Sequence, residues 1–146
     1  MRITISIALA SALLISSVSS ASEDGKSCEF SSATQLDMNS CALSDRDRAD
    51  KQLNEVYQAV LLKHKDDKTF VGKFREAQRA WVKWRDAEAE ALYPEEDKQL
   101  TYGSVYPMCL SVFLKSLTAQ RTKELRRWLD GTPEGDVCAG SLPISP

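Results

Sequence analysis

The residue types in this chain that could do chemistry are one histidine, four cysteines and a set of carboxylates. His64, the single histidine, has lysine-rich surroundings, whereas a general base needs a pocket and a partner, so we expect a solvated side chain. No serine nucleophile elbow, zinc-protease helix or phosphate-binding loop is present. The clustered carboxylates are Glu88, Glu90, Glu95, Glu96 and Asp97. A chain with 21 acidic residues produces such clusters by chance, so we predict no catalytic residue, metal or cofactor.

The first 21 residues are typical of a secretory signal peptide. Arg2 gives a positive start, residues 3–15 are apolar or small, and Ser19 and Ala21 fit a cleavage site. The apolar stretch is shorter than the roughly 20 residues that a membrane-spanning helix needs. We therefore predict export, with no membrane anchor after signal cleavage.

The cysteines predict disulfide bonds rather than a metal or redox site. Cys28, Cys41, Cys109 and Cys138 are separated by 12, 67 and 28 residues, so no pair has zinc-knuckle or redox spacing. An even number of cysteines in an exported protein is typical of two disulfides. Three pairings are possible, and spacing does not choose among them.

Charge and composition exclude several classes of protein. With 19 basic against 21 acidic residues the chain offers no basic surface for nucleic acid phosphates. A hydrophobic content of 42% over 146 residues is typical of one ordinary domain. We divide the chain into a signal peptide (1–21), an N-terminal segment (22–33), a helical domain (34–131) and an irregular tail (132–146), which Cys138 would tie to the domain.

Helical periodicity defines the domain. Apolar residues recur every three or four positions over Thr34 to His64, with a possible kink at Ser44 and Asp45, and again from about Thr69 to Leu92 and Val105 to Asp130. Residues 93–107 lose this period and form the longest predicted loop. No segment alternates like a strand, so we predict an all-α fold, an antiparallel three-helix bundle stapled by disulfides. Its three tryptophans would be core or core-edge residues: Trp81, Trp84 and Trp128.

Three charged residues lie close to the predicted apolar faces. Arg85 lies on the Trp81 side of the second helix beside Asp86, and Arg121 interrupts the apolar face of the third. Arg and Asp are seldom buried without a partner. We therefore favour an ion-paired network that holds these two helices in register over a ligand site.

Several short strings, taken in order, resemble one protein family. They are TQLDMNSCA at 34–42, then Ala49, Asp50, Leu53, Asn54 and Tyr57, then AQRAW at 77–81, and a final stretch from Gly103 through Cys109 to Leu125. Together they are similar to the LprI-like lysozyme inhibitor N-terminal domain, a family of small exported bacterial proteins. The matching motif residues include Gln78, Trp81, Arg85, Asp86, Gly103, Thr118 and Arg121.

The chain departs from this family at one cysteine. The family commonly has a cysteine where this chain has Ala89, and this chain instead has Cys138 in its tail. The family's disulfide pairing therefore does not carry over. In an up-down-up bundle Cys41 and Cys109 lie near the same end, so we expect these two to pair, leaving Cys28 with Cys138.

The resemblance implies a periplasmic protein linked to lysozyme inhibition. We expect a non-enzymatic inhibitor of lysozyme or a related peptidoglycan-cleaving enzyme; the alternative is an envelope-stress or assembly factor that binds another periplasmic protein or a cell-wall component. Recognition concentrates in loops on rigid scaffolds, so we expect contact in the long loop. The alternative for this loop is a solvated connector whose tyrosines cap the helix ends. The candidate contact residues are Tyr93, Glu95, Glu96, Asp97, Tyr102 and Tyr106.

Overall fold

The computed structural model describes residues 34–145, which form four helices. They are α1 (Gln35–Lys63), α2 (Lys68–Leu92), α3 (Lys98–Tyr102) and α4 (Tyr106–Asp130). The all-α prediction is confirmed, and the three long helices are those that the apolar spacing predicts. The short α3 differs from the prediction, because it lies inside the segment expected to be an irregular loop.

Helix α1 runs unbroken through the position where a kink was possible. Its first turn is closed by a capping box, in which the Asp37 amide donates to Thr34 Oγ1 over 3.2 Å and the Thr34 amide donates to Asp37 Oδ2 over 3.0 Å. Farther along, the buried Asp45 accepts a hydrogen bond from Lys115 Nζ over 2.6 Å and pairs with Arg48. Because this carboxylate is paired, the helix can bury it without bending.

The long helices run up, down and up. Helices α1 and α4 are parallel, since Asn39 contacts Ser104 near their first residues and Lys63 contacts Leu129 near their last. Helix α2 runs antiparallel to both. The α1–α4 interface is built from small side chains, which let the two backbones approach closely. These buried small residues are Ala42, Ala49, Ser111, Thr118 and Thr122.

The apolar core lies toward the end of the bundle where α1 and α4 finish. Helix α2 contributes Phe74 to it, and Trp81 and Trp128 pack against it partly buried. Trp84 is 47% exposed, so the expectation that it is a core or core-edge residue is wrong. Trp84 lies off the face of α2 that carries Trp81 and Arg85 against the bundle. The fully packed core residues are Leu53, Val56, Val60, Phe74 and Leu125.

The expected disulfide pairing is wrong. Cys109 and Cys138 are both free thiols, and no disulfide joins two cysteines within residues 34–145; Cys28 lies outside the described residues. Cys109 does begin its helix at the end of the bundle where Cys41 lies. However, Ser111 faces α1, and Cys109 lies two positions before it in the helix. Two positions correspond to a rotation of about 200° around the helix axis. Cys109 therefore points away from α1.

Backbone hydrogen bonds, rather than Cys138, fold the tail back onto its own first residue at the end of α4. The Thr132 amide donates to the Pro143 carbonyl oxygen over 2.8 Å, and the Ser145 amide donates to the Thr132 carbonyl oxygen over 2.8 Å. Gly131 ends α4 with a positive φ of 85°, and a Cβ there would lie 2.7 Å from the Pro143 oxygen. Only glycine combines this backbone conformation with such a close approach.

Candidate functional site

The candidate contact segment, Tyr93 to Tyr106, joins α2 to α4 at the end of the bundle where α1 begins. We call this the loop end of the molecule. The segment is attached to α1 by Asn39, whose side-chain amide donates to the Ser104 carbonyl oxygen over 3.0 Å. The other end of the molecule, the tail end, holds the α1–α2 turn and the C-terminal tail.

The three tyrosines of the segment pack against one another. The Tyr93 ring centroid lies 5.1 Å from that of Tyr102 and 5.0 Å from that of Tyr106, in edge-to-face geometry. The Glu95 amide donates to Tyr102 Oη over 3.4 Å. Burial, together with the nearby Cys109 and the other two tyrosines, raises the pKa of the Tyr93 hydroxyl. The half-buried rings therefore fasten the segment to the bundle.

Helix α3 is held in place at both ends. The Asp97 carboxylate accepts a hydrogen bond from the Leu100 amide over 2.9 Å, which caps the helix at its start. At its end the Gly103 amide donates to the Gln99 carbonyl oxygen, and the positive φ of 72° at Gly103 explains why glycine occupies this position. Asp97 is therefore already engaged inside the segment.

Lys98 ties α3 back to the last turn of α2. Its ammonium group donates to Glu90 Oε2 over 3.0 Å and to the Tyr93 carbonyl oxygen. The hydrogen bond to Glu90 raises the pKa of Lys98. The side chains of Glu95 and Glu96, in contrast, are exposed and make no hydrogen bond within the described residues. These two carboxylates are the ones available to a partner.

Charge changes sign along the sequence of α2 and the segment that follows it. Residues 86–114, around the loop end, carry one basic residue, Lys98, and the six acidic residues Asp86, Glu88, Glu90, Glu95, Glu96 and Asp97. Residues 63–85 carry eight Lys and Arg against three Asp and Glu. The net charge is therefore −5 for residues 86–114 and +5 for residues 63–85.

Exposed apolar side chains at the loop end are a feature that the sequence pattern does not predict. Leu100 is 82% exposed on α3, and Leu36 and Leu92 are also exposed at the starts and ends of their helices. A possible signal was the spacing of Asp97 and Gly103, which suit a helix N-cap and a C-terminal stop. Five residues are too few to show helical periodicity, so the sequence predicts a loop here.

The residues shared with the family strings meet in the middle of the bundle. Asp50 Oδ1 on α1 accepts hydrogen bonds from Arg85 Nη1 on α2 over 3.2 Å and from Thr118 Oγ1 on α4 over 3.1 Å. One carboxylate oxygen therefore joins all three long helices. Within the described residues the Asp86 carboxylate pairs with its neighbour Arg85 alone, over 2.9 Å, and it lies on the exposed side of α2.

A second contact of this kind joins α2 to α4 directly. Arg121 Nε donates to Gln78 Oε1 over 3.1 Å, and its Nη1 donates to Glu124 over 3.0 Å. The guanidinium groups of Arg85 and Arg121 lie 5.4 Å and 5.8 Å from the ring centroid of Trp81. The two arginines are thus partnered by carboxylates, an amide and an aromatic ring, which leaves little of either for a ligand.

At the tail end, His64 is half-buried rather than solvated. Its ring lies 4.4 Å from that of Phe70, and Nε2 is 3.4 Å from the Trp128 carbonyl oxygen. Phe70 and Trp128 also line a cavity of about 400 Å³ that Ser141 of the tail closes on one side. His64 therefore packs at the junction of α1, α2 and α4.

None of the described helices is long and apolar enough to cross a membrane.

Comparison with known proteins identifies the family of the chain. The model of the family "Lysozyme inhibitor LprI" matches residues 27–125. An uncharacterised protein of Rhizobium meliloti (strain 1021) is 33% identical over 108 residues, which cover 66% of this chain and 75% of the relative. No solved structure matches the chain significantly. Because the family model spans more than half of the sequence, the chain belongs to the LprI lysozyme inhibitor family.

Proposed function

We propose that this protein is a non-enzymatic, periplasmic inhibitor that binds a basic lysozyme through its loop end. Family membership supports the lysozyme class as the target. The signal-peptide pattern of residues 1–21 supports export. The observation that carries the proposal is the arrangement at the loop end, where exposed carboxylates are presented by a segment that Asn39 of α1, Glu90 of α2 and the tyrosine cluster hold in place.

The charge pattern of α2 supports a binding role because helix stability does not explain it. A helix is stabilised by acidic residues in its first turn and basic residues in its last. Helix α2 has Lys68 in its first turn and Glu90 in its last, and only its N-cap, Asp67, follows the rule. A negative potential at the loop end would attract a basic enzyme and speed its association.

The rigidity of the segment supports the same conclusion. Ordering a loop on binding costs free energy that subtracts from affinity. Here the tyrosine cluster, the Asp97 cap and the Lys98 contacts already hold the segment in the free protein. An inhibitor does not have to catalyse a reaction. A surface that is already ordered and whose charge is complementary to that of the enzyme is sufficient.

The test is an inhibition assay with the exported protein purified from periplasm. Lysozymes of different structural classes are mixed with increasing amounts of protein, and the rate of cell-wall lysis is measured at low and high salt. We expect saturable inhibition of at least one basic lysozyme that weakens as salt rises, because exposed charges are screened. Undiminished lysis by every class at all concentrations would refute the proposal and favour the assembly-factor alternative, which pull-down from periplasmic extract tests directly.

A further inference from the structure

We propose that Leu100 is an apolar anchor that inserts into the bound enzyme, a role that rests on the proposed function. Leu100 is 82% exposed, the highest value for a large hydrophobic side chain on any described helix. Leucine side chains gain considerable free energy when they leave water. The fold keeps this one in solvent on α3, the short helix of the segment.

The contacts around α3 hold Leu100 in a fixed position. Asp97 caps the backbone amide of Leu100 itself over 2.9 Å, so the carboxylate fixes the residue that carries the exposed side chain. Lys98 binds Glu90 and the Tyr93 carbonyl oxygen, and Tyr102 packs against Tyr93. An anchor held this way loses little conformational freedom on binding.

The surroundings of Leu100 define the chemistry of its binding site. Glu95 and Glu96 precede α3, and both carboxylates are exposed. The complementary surface therefore has an apolar floor that receives the leucine and a rim of basic side chains that meets the carboxylates. A desolvated apolar centre surrounded by polar contacts is the arrangement of binding hot spots. In a lysozyme we assign this surface to a cleft with a basic rim.

Leu62 supplies a matched control. It is a leucine in a helix, 70% exposed, but it lies at the tail end, next to Lys63. Replacing either leucine with alanine leaves helix propensity nearly unchanged. The comparison therefore separates loss of an anchor from loss of exposed apolar area in general.

The experiment measures Kd and dissociation rate for an inhibited lysozyme with wild type, Leu100→Ala, Leu100→Met and Leu62→Ala. Circular dichroism and thermal melting of each variant check that the fold is retained. Burial of a leucine predicts that Leu100→Ala raises Kd by roughly 10- to 100-fold, mainly through faster dissociation. Leu100→Met should stay within about threefold of wild type because it conserves volume, and Leu62→Ala should match wild type.

The outcomes distinguish the two proposals. Equal Kd values for Leu100→Ala and Leu62→Ala, in a protein that still inhibits, would overturn the anchor and leave the inhibitor function standing. A wild-type protein that binds no lysozyme would overturn the inhibitor function, and the anchor with it. If thermal melting shows that Leu100→Ala unfolds, the residue is structural and the anchor is rejected.

Discussion

Thr118 Oγ1 on α4 donates a hydrogen bond to Asp50 Oδ1 on α1 over 3.1 Å, and the same oxygen accepts from Arg85 on α2. Thr118 is fully buried at this contact. The pair therefore connects the two parallel helices at the point where the third helix also meets them. Asp50 therefore contacts both of the other long helices through one carboxylate oxygen.

We expect Asp50→Ala to destabilise the protein. The change leaves the buried Thr118 hydroxyl without its acceptor and removes the interhelical partner of Arg85, which costs about 1–3 kcal/mol. Asp86→Ala is the control, since in the described part of the chain the exposed Asp86 carboxylate pairs with its neighbour Arg85 alone; we expect a change within about 0.5 kcal/mol. Urea denaturation measures both. A larger loss for Asp86→Ala than for Asp50→Ala would contradict this assignment.

The junction of α4 with the tail predicts a contrast between two glycines. Gly131→Ala places a Cβ 2.7 Å from the Pro143 oxygen at a positive φ, so we expect a loss of about 1–3 kcal/mol and release of the tail to proteolysis. Gly72→Ala, inside α2 with open space around it, should stabilise by about 0.5–1 kcal/mol. Thermal melting and limited proteolysis of both variants test the pair. A tail that stays protected in Gly131→Ala would refute this account of the junction.

The exposed carboxylates of Glu95 and Glu96 predict an effect on the rate of association with lysozyme. Glu95→Gln together with Glu96→Gln should slow association by roughly 2- to 10-fold and flatten its salt dependence, with little change in dissociation. The matched control replaces Asp66 and Glu134, two exposed acids of the tail end, with Asn and Gln. Stopped-flow mixing at two salt concentrations measures the rates. Equal slowing by both double variants would show that net charge, rather than its position, matters.

Two substitutions at Asp97 distinguish its role as a helix cap from the effect of its charge. Asp97→Asn removes the charge but keeps an N-cap side chain, whereas Asp97→Ala removes both. We expect Asp97→Ala to weaken lysozyme binding more than Asp97→Asn does, because α3 then loses the bond that positions Leu100. Equilibrium binding of the two variants decides the point, and equal weakening would mean that Asp97 acts through its charge.

The start of α1 predicts a pH dependence. Hydrogen bonds from Thr34 lower the pKa of Asp37 below its ordinary value. A carboxylate with a depressed folded pKa contributes stability that is fully present above the unfolded value and is lost as pH falls through the folded one. We therefore expect the Thr34 and Asp37 amides to lose protection as pH drops below about 4. Amide exchange by NMR measures this, and Thr34→Ala should weaken the pH dependence, because only the backbone amide of residue 34 then still donates to the Asp37 carboxylate.

The long helices follow from the sequence because their apolar spacing persists over many turns. Pro94 after α2 and Gly131 after α4 also mark the ends of those helices correctly. Helix α3 is not predicted in this way because its five residues form little more than one turn. Its formation depends on the Asp97 cap and the Lys98 contacts, which are set by the positions of α2 and the tyrosine cluster.

The cysteine pairing and the contacts of Asp50 show a second limit of prediction from the sequence. The sequence places Cys41 and Cys109 at the same end, but pairing depends on the rotation of each helix about its axis, and a shift of two positions turns Cys109 away from α1. The arginines Arg85 and Arg121 stand out in the sequence because they interrupt apolar faces. Their partners, Asp50 and Gln78, become visible only when the helices are placed together.

The central claim, that the loop end binds lysozyme, is tested most directly by mapping the interface on the isotope-labelled protein. NMR spectra are recorded while an unlabelled, inhibited lysozyme is added. We predict that the largest changes fall on Glu95, Glu96 and Leu100, with Leu62 and Phe70 at the tail end unchanged. Changes concentrated at the tail end, with the loop end unaffected, would contradict the account.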